Sequence, residues 1–489
     1  MSSSNDTVAA LAPPISRAGC YVILLFAFLG WGFCGVHMSI TGIVMRDASA
    51  DLLATQFAEQ GISDVVAEGT VVDPALLEGF DDDRNGSLDS AERASARRAT
   101  LGQWFGWLTC ALLLGAAAGG YLLGLLGDRI GRSKAMAVSM LCLGVFSLAT
   151  YYAQSPTQLL LLRFLTCLGI GGMWPNGIAL LSEAWPNISR PFLAGAIGAA
   201  ANVGILSFGL VTYVNVVTDE SWRWTFLLGA IPAVLGLFSL WLVPESPRWS
   251  ALRKKHAAGS DAENPQAAKV GLAEVFRPPF LRITILGILL GTVPLFGGWG
   301  VSNWAVAWAS DVGATQDKDA ALKSLTVVVR SFPGSITSLL GGMLAFWLGR
   351  RRCYFLLSLG ALLCTQLLFR TDPADDRVLF AITLFGHDIQ FTRFLAWTAA
   401  LGTFNGFFFG WLPYCLPGLF PTRVRATGAG VSFNWGRILT AIGVLVTAAI
   451  LKEKLKGQYD LVGQYTGLIF VFGMIVVWFI PATDKDLDE

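Results

Sequence analysis

Twelve apolar runs, each about the 20 residues a helix needs to cross roughly 30 Å of hydrocarbon, occupy most of this 489-residue chain. Six lie near 20–44, 102–126, 135–154, 157–184, 191–215 and 222–243, and six near 282–308, 322–348, 353–369, 390–417, 427–451 and 463–481. Backbone polar groups in lipid must be satisfied within their own segment, so the runs predict transmembrane helices. With 54% hydrophobic residues, 14% charged residues and a mean hydropathy of +0.57, a water-soluble fold would expose a very large apolar surface. The first run follows a polar 19-residue leader with no small-residue cleavage site and exceeds the length of a signal-peptide core, so it reads as a true span.

The loop GLLGDRIGRSK, Gly124–Lys134, returns 218 positions later as GMLAFWLGRRR, Gly342–Arg352. A second match supports duplication: LSEAWPNISR ends on Arg190 and PGLFPTRVR on Arg425, with Pro186 and Pro421 in register, both displaced by 235. Two six-span repeats in the same orientation place a ligand site between them near the midplane. The expected organisation is a leader at 1–19, a first bundle at 20–243 with an insertion at 48–101, a linker at 244–281 with short helices, a second bundle at 282–481 and a tail at 482–489. The fold class is an all-α membrane protein.

Basic residues in short loops set the orientation. Arg129, Arg132 and Lys134 follow span 2, Arg190 follows span 4, and Arg248, Arg253, Lys254, Lys255 and Arg277 fill the central loop. Arg350–Arg352 follow span 8, and Arg423 and Arg425 follow span 10. All fall on one side, so both termini are expected in the cytoplasm of a cell-membrane protein. Lys452–Lys456 dissents, and is read as interfacial snorkelling. The 35 basic and 34 acidic residues are balanced and no basic run forms a nucleic-acid face. The eight cysteines lie in or beside apolar runs without a CxxC pair, so neither disulfides nor zinc are indicated. No nucleophile, base and orienting group form a recognisable catalytic set, so an enzyme is not expected.

Gly124, Asp128, Arg129, Gly131 and Arg132 in the loop after span 2, and Arg163, Gly169 and Gly171 in RFLTCLGIGG, resemble two motifs of the major facilitator superfamily. The resemblance covers nearly the whole chain. WRW at Trp222–Trp224, PESPRW at Pro244–Trp249 and YCLPGLFPTRVRATGAG at Tyr414–Gly430 are similar to its sugar porters and the related metabolite and organic-ion branch. The resemblance implies a twelve-helix transporter working by alternating access. Glycines let helix ends approach, and Asp128 can accept bonds from helix N-termini or from arginine across the half interface. Such pairs, with Glu183, Arg190, Arg248 and Arg425, would latch the cytoplasmic gate. The second copy carries Phe346 and Trp347 where the first has Asp128 and Arg129, so the latch is expected to be asymmetric.

The insertion sets this chain apart: Asp51 to Glu92 holds eleven acids and one base, Arg84. Within it DDDRNGSLDSAE, Asp81–Glu92, matches an EF-hand loop at every ligand position. Asp81, Asp83 and Asn85 take positions one, three and five, and Gly86 the turn. Ser87 offers its carbonyl, Asp89 position nine through water, Glu92 the bidentate closure, and Leu88 is apolar at position eight. PALLEGF and SAERASARRA read as short flanking helices. Asn85, Gly86 and Ser87 also form a glycosylation sequon. The cofactor reading is Ca2+ on the outward side, stabilising the loop or biasing the outer gate.

Polar and aromatic residues within spans face a cavity or bond neighbouring helices. Trp31, His37, Trp174, Asn176, Asn202, Asn303, Arg330, Asn405, Trp411, Asn434 and Arg437 are the candidates for a small-molecule substrate. Tryptophan with asparagine suits sugars, the first choice, whereas Arg330 and Arg437 suit a carboxylate, the second. GTVPLFGGWGVSN, Gly291–Asn303, lacks the paired glutamines of sugar members, and GWGFCGVH in span 1 lacks a proton-coupling aspartate. Facilitated diffusion and proton symport both stay open, with His37 the nearby titratable group. A monomer is expected, and a receptor that senses substrate without moving it is the alternative from another class.

Overall fold

The computed structural model describes residues 15–63, 72–185, 190–247, 249–251, 272–315, 320–375, 377–384, 387–421 and 424–481. It is mainly helical. The first half holds α1 (Arg17–Ile43), short α2 (Met45–Leu52), α3 (Ala54–Glu59) and α4 (Pro74–Phe80), then α5 (Ser90–Ile130), α6 (Arg132–Tyr151), α7 (Pro156–Ala184), α8 (Arg190–Val214) and α9 (Trp224–Leu242). In the second, α10 (Leu281–Phe296) runs through a π-helical turn at Gly297–Val301 into α11 (Ser302–Thr315). There follow α12 (Leu322–Leu348), α13 (Arg350–Leu368), α14 (Arg393–Cys415), α15 (Arg425–Glu453), α16 (Tyr459–Thr466) and α17 (Ile469–Val476).

Among the described residues, nine helical stretches are long and apolar enough to cross a membrane: α1, α5, α6, α7, α9, Leu281–Gly313, α12, Thr427–Glu453 and Tyr459–Phe479. The other expected runs fall on α8, whose apolar stretch Gly198–Val214 is shorter, and on α13 and α14. Large apolar side chains such as Trp241 and Phe346 point outward, as lipid-facing surface requires. Within the first half α5 packs on α7 and α6 on α9; within the second, α12 packs on α14 and α10 on α15. The halves meet along α5 with α15 and α8 with α12.

The duplication is visible in the backbone. Gly131 ends α5 at φ 112° and its counterpart Gly349 ends α12 at φ 78°, a left-handed region that glycine enters without a Cβ penalty. Arg190 and Arg425, the second matched pair, each open a helix. Phe346 and Trp347, the replacements for Asp128 and Arg129, are largely exposed at the end of α12, a position suited to an aromatic interface anchor.

Two elements differ from expectation. The span at 102–126 is part of the 41-residue α5, about 60 Å at 1.5 Å per residue, twice the hydrocarbon thickness. Its start is set by a capping box in which the Asp89 side chain accepts from Glu92 N and the Glu92 side chain from Asp89 N. The last residue of the acidic loop, Glu92, therefore lies in the first turn of the transmembrane helix. The run at 390–417 begins as a helix only at Arg393, because His387–Thr392 pairs antiparallel with Val378–Leu384. β-Branched and aromatic residues on both segments favour that hairpin over another helical turn.

The insertion has its own small core, in which Leu53, Phe57, Ile62, Leu76, Phe80, Leu88, Ala96 and Leu101 are buried together. Leu88, the apolar position eight of the acidic loop, is 3% exposed there. The end of the molecule carrying this core is called the insertion end below, and the end carrying Gly124–Lys134 the motif end.

Candidate functional site

Several candidates meet in the second half. Arg330 on α12 donates from Nη1 to Asn303 Oδ1 on α11 at 3.1 Å, and Asn405 on α14 donates to Ser302 Oγ at 2.9 Å. Arg437 on α15 donates to Asn434 Oδ1 at 3.2 Å and to the Ala116 carbonyl of the first half at 3.4 Å, with its Cζ 4.7 Å from the Phe433 ring centre. Neither arginine forms an ion pair with a carboxylate among the described residues. Asn303 Nδ2, Asn405 Oδ1 and Trp31 Nε1 are buried without a protein partner, a state that costs about 1–3 kcal/mol per group and marks a place for a ligand or water. Trp31 lies against Trp174 with ring centres 5.0 Å apart. Asn202 reaches Ser338 Oγ across the halves at 3.4 Å. Ser302 and Ser338 were not among the candidates; serines in apolar runs are too common to stand out.

Three candidates belong to packing instead. Asn176 donates to the Leu123 carbonyl at 3.0 Å and the Gly172 carbonyl at 2.9 Å, tying α7 to α5. Trp411 is fully buried, 4.8 Å from the Tyr354 ring centre, and donates to the Arg350 carbonyl at 3.2 Å. His37, also fully buried, has Nε2 2.9 Å from the Gly229 carbonyl and Nδ1 3.4 Å from Arg163 Nη1. A carbonyl only accepts, so Nε2 carries the proton and Nδ1 accepts from the guanidinium. Arg163 also donates to the His37 carbonyl at 2.9 Å and to Thr41 Oγ1 at 2.6 Å. The His37 side chain therefore ties α1 to α9 and α7. His37→Leu, which strands Gly229 O and weakens the bonding of Arg163, is expected to destabilise the protein by about 1–3 kcal/mol, read as a lowered thermal midpoint. An unchanged thermal midpoint in His37→Leu would refute this assignment.

At the motif end, Arg132 pairs with Asp128 at 2.6 Å, one turn apart on either side of Gly131. Trp249 Nε1 donates to the Asp128 carbonyl at 2.9 Å, Ser133 N donates to Glu245 Oε1 at 3.0 Å, and Ser246 Oγ donates to Glu183. Arg350 donates to the Gly418 carbonyl at 3.3 Å and Arg425 to the Phe420 carbonyl at 3.2 Å. Each of these bonds stays inside one half; the sequence reading offered Asp128 either helix N-termini or arginine across the half interface. The segment after α9 folds back beneath the first bundle and takes up those acceptors. Gly124 sits beside Pro175 of α7. Arg129 belongs to the last turn of α5. Arg248, Pro186, Arg423 and Arg253–Lys255 lie outside the described residues, as does the Arg190 side chain.

In the acidic loop, ligand atoms of Asp81, Asp83 and Glu92 lie within 4.8 Å of one another. The turn is built as the motif requires: Gly86 has φ 83°, Gly86 N donates to Asp81 Oδ2 at 2.8 Å, and Asn85 N donates to Asp81 Oδ1 at 3.1 Å. Glu92 accepts from Asp82 N at 2.7 Å and from Asp89 N at 2.9 Å. Ser87 N and Oγ both donate to Asn85 Oδ1, at 2.8 and 2.6 Å. Asp89 is not brought into the carboxylate group, since its side chain caps α5, which leaves position nine to act through water. Desolvation pushes the Asp81 carboxyl up, but bonds from Gly86 N and Asn85 N outweigh it and hold it below the usual carboxylate range.

The dissenting basic patch has a partner. Lys456 pairs with Asp82, its carbonyl accepts from Ser95 Oγ at 2.7 Å, and Lys452 donates to Gln103 Oε1 at 3.0 Å. Snorkelling is therefore replaced by docking of the second half onto the insertion.

A family model described as the Major Facilitator Superfamily matches residues 85–444, most of the chain, and the protein belongs to that family. A putative metabolite transport protein of Haemophilus influenzae is 26% identical over 371 residues, 75% of this chain and 84% of the relative. The cis,cis-muconate transport protein of Acinetobacter baylyi is 26% identical over 344 residues, 69% and 76% of the two chains. The partially occluded inward-open xylose transporter XylE from E. coli superposes with a TM-score of 0.62 at 17% identity, covering 96% of this chain and 99% of that one, which shows the shared fold. The protein is a multi-pass membrane transporter of small metabolites and not an enzyme.

Proposed function

We propose that the protein carries a small organic anion with a carboxylate group by alternating access. The carrying observation is that Arg330 and Arg437 lie inside membrane helices with amide and carbonyl oxygens as partners and no carboxylate. An arginine at the helix centre costs about 2.5–3.5 kcal/mol on insertion scales, and a carboxylate offers it bidentate, charge-assisted bonds. This reverses the order reached from the tryptophan and asparagine residues of the spans, in which sugar came first. The relative named for cis,cis-muconate supports the same chemistry.

In this reading twelve spans form the bundle, α8, α13 and α14 joining the nine apolar stretches. Both termini are cytoplasmic in the plasma membrane, the insertion end faces outward, and the chain works as a monomer. Sugar is retained as a second reading because the Trp31–Trp174 pair and the amides of Asn202 and Asn303 suit a hydroxylated ring. A receptor that does not transport is the third outcome. Uptake of labelled cis,cis-muconate and of labelled glucose into proteoliposomes without a pH gradient separates them. Saturable muconate uptake supports the anion, saturable glucose uptake supports the sugar, and saturable binding without uptake supports the receptor.

The same proposal includes calcium on Asp81, Asp83, Asn85, Ser87, Asp89 and Glu92. Convergence of three carboxylates around a glycine turn, between α4 and α5, supports it.

A further inference from the structure

Ion pairs that join the two halves gather at the insertion end. Arg46 on α2 pairs with Asp311 on α11, both about 8% exposed. Arg98 on α5 brings Nε to 3.0 Å from the other oxygen of Asp311, an ion pair by distance whose N–H direction misses a hydrogen bond. Lys323 at the start of α12 pairs with Asp47 on α2 and donates to the Val217 carbonyl at 2.8 Å. Above these, Lys456 of the second half holds Asp82 of the insertion. In every pair one partner belongs to the first half and the other to the second. Asp51 reinforces the first-half side, accepting from Trp222 Nε1 at 2.9 Å and from Arg223 Nη1 at 2.8 Å, so α2 is fastened to the start of α9.

We propose that Arg46, Arg98 and Asp311, with Asp47 and Lys323, are the gate of the transport path at the insertion end, and that the insertion is a strap bolted across it by Asp82 and Lys456. The proposal rests on alternating access as read above. Two rigid halves that rock apart at this end must break all four pairs together, because Arg98 and Asp82 are carried on the same half as Arg46 and Asp47. Buried pairs suit a switch: their attraction barely exceeds their desolvation cost, and opening returns both charges to water. Burial pushes the Asp47 carboxyl up, against the lowering effect of Lys323, so the closed state holds this carboxylate at a cost. Arg98 lies six residues beyond Glu92 on the uninterrupted α5, so the acidic loop and the gate move as one body. The strap is the exposed, adjustable member, with Lys456 38% and Asp82 69% exposed.

The test measures distances in the full chain in nanodiscs, using spin labels at exposed Glu78 and Glu453 in a cysteine-free background. The wild type is expected to give mainly the short distance. Asp311→Asn, which leaves Arg46 buried without its carboxylate, is expected to raise the long-distance population at least about tenfold, a shift of roughly 1.4 kcal/mol. Lys456→Met, at a partly exposed site, is expected to shift it in the same direction by less, and Asp82→Lys with Lys456→Asp to restore the wild-type distribution. Unchanged distributions in both Asp311→Asn and Lys456→Met would overturn the proposal. Because the readout needs no substrate, a shift with no uptake of any anion keeps the gate and removes only the substrate assignment.

Discussion

Arg330→Gln is expected to lower kcat/KM for anion uptake by about 10- to 100-fold, the loss of one charge-assisted contact worth about 1.5–3 kcal/mol. The glutamine ends two bonds short of the Nη1 that meets Asn303, so this bond is lost together with the charge. Thermal stability is expected to hold or rise, since an arginine without a carboxylate partner is a cost to the resting protein that only substrate offsets. Arg330→Lys should recover part of the uptake, keeping the charge but not the planar fork. Arg437→Gln should also impair uptake, with some loss of stability, because Arg437 additionally bonds Ala116 across the halves and covers Phe433. Paired uptake and melting measurements on the three variants check this. Full uptake by Arg330→Gln would remove the carboxylate assignment and return sugar to first place.

Calcium is expected to raise the melting temperature of the full chain, with half the effect at about 10⁻⁴ to 10⁻³ M, the range of extracellular EF-hand modules. At ten times the dissociation constant the gain is about 1.4 kcal/mol by mass action. Glu92→Gln keeps one of the two oxygens that accept from Asp82 N and Asp89 N, and the Asp89 side chain still accepts from the backbone N of residue 92, so part of the cap of α5 is retained while the bidentate ligand is lost. The variant should therefore melt at one temperature whatever the calcium level, and terbium luminescence, which reports the metal directly, should be lost with it. A wild type that melts identically with and without millimolar calcium would end the metal reading. Uptake by the wild type at both calcium levels separates a staple from a regulator, because only a regulator changes the rate.

Much of the fold was legible because it is written in local periodicities. Apolar runs of about 20 residues marked the long helices, and the Gly131–Gly349 repeat showed itself as two left-handed turns. The geometry of the acidic loop was legible for the same reason: its carboxylates, glycine turn and flanking helices fall within twenty or so consecutive residues. The extra length of α5 was missed because its first three turns are polar, and the hairpin at Val378–Thr392 because apolar β-branched runs also suit a membrane helix. His37, Asn176 and Trp411 illustrate the limit within the bundle. A polar residue in an apolar run must bond something, but whether that partner is a carbonyl of the next helix or a ligand depends on which helices adjoin.

Sequence alone determined the membrane class, the duplication, the family and the chemistry available at each loop, since each rests on residues close together in the chain or on a repeated pattern. Tertiary structure alone decided that Lys456 answers Asp82, that Asp311 serves both Arg46 and Arg98, and that Arg330 and Arg437 meet no carboxylate among the described residues. The paired residues lie between 213 and 374 positions apart. No local pattern can specify a charge pair across that separation, because it is packing of the two halves that selects which charges meet.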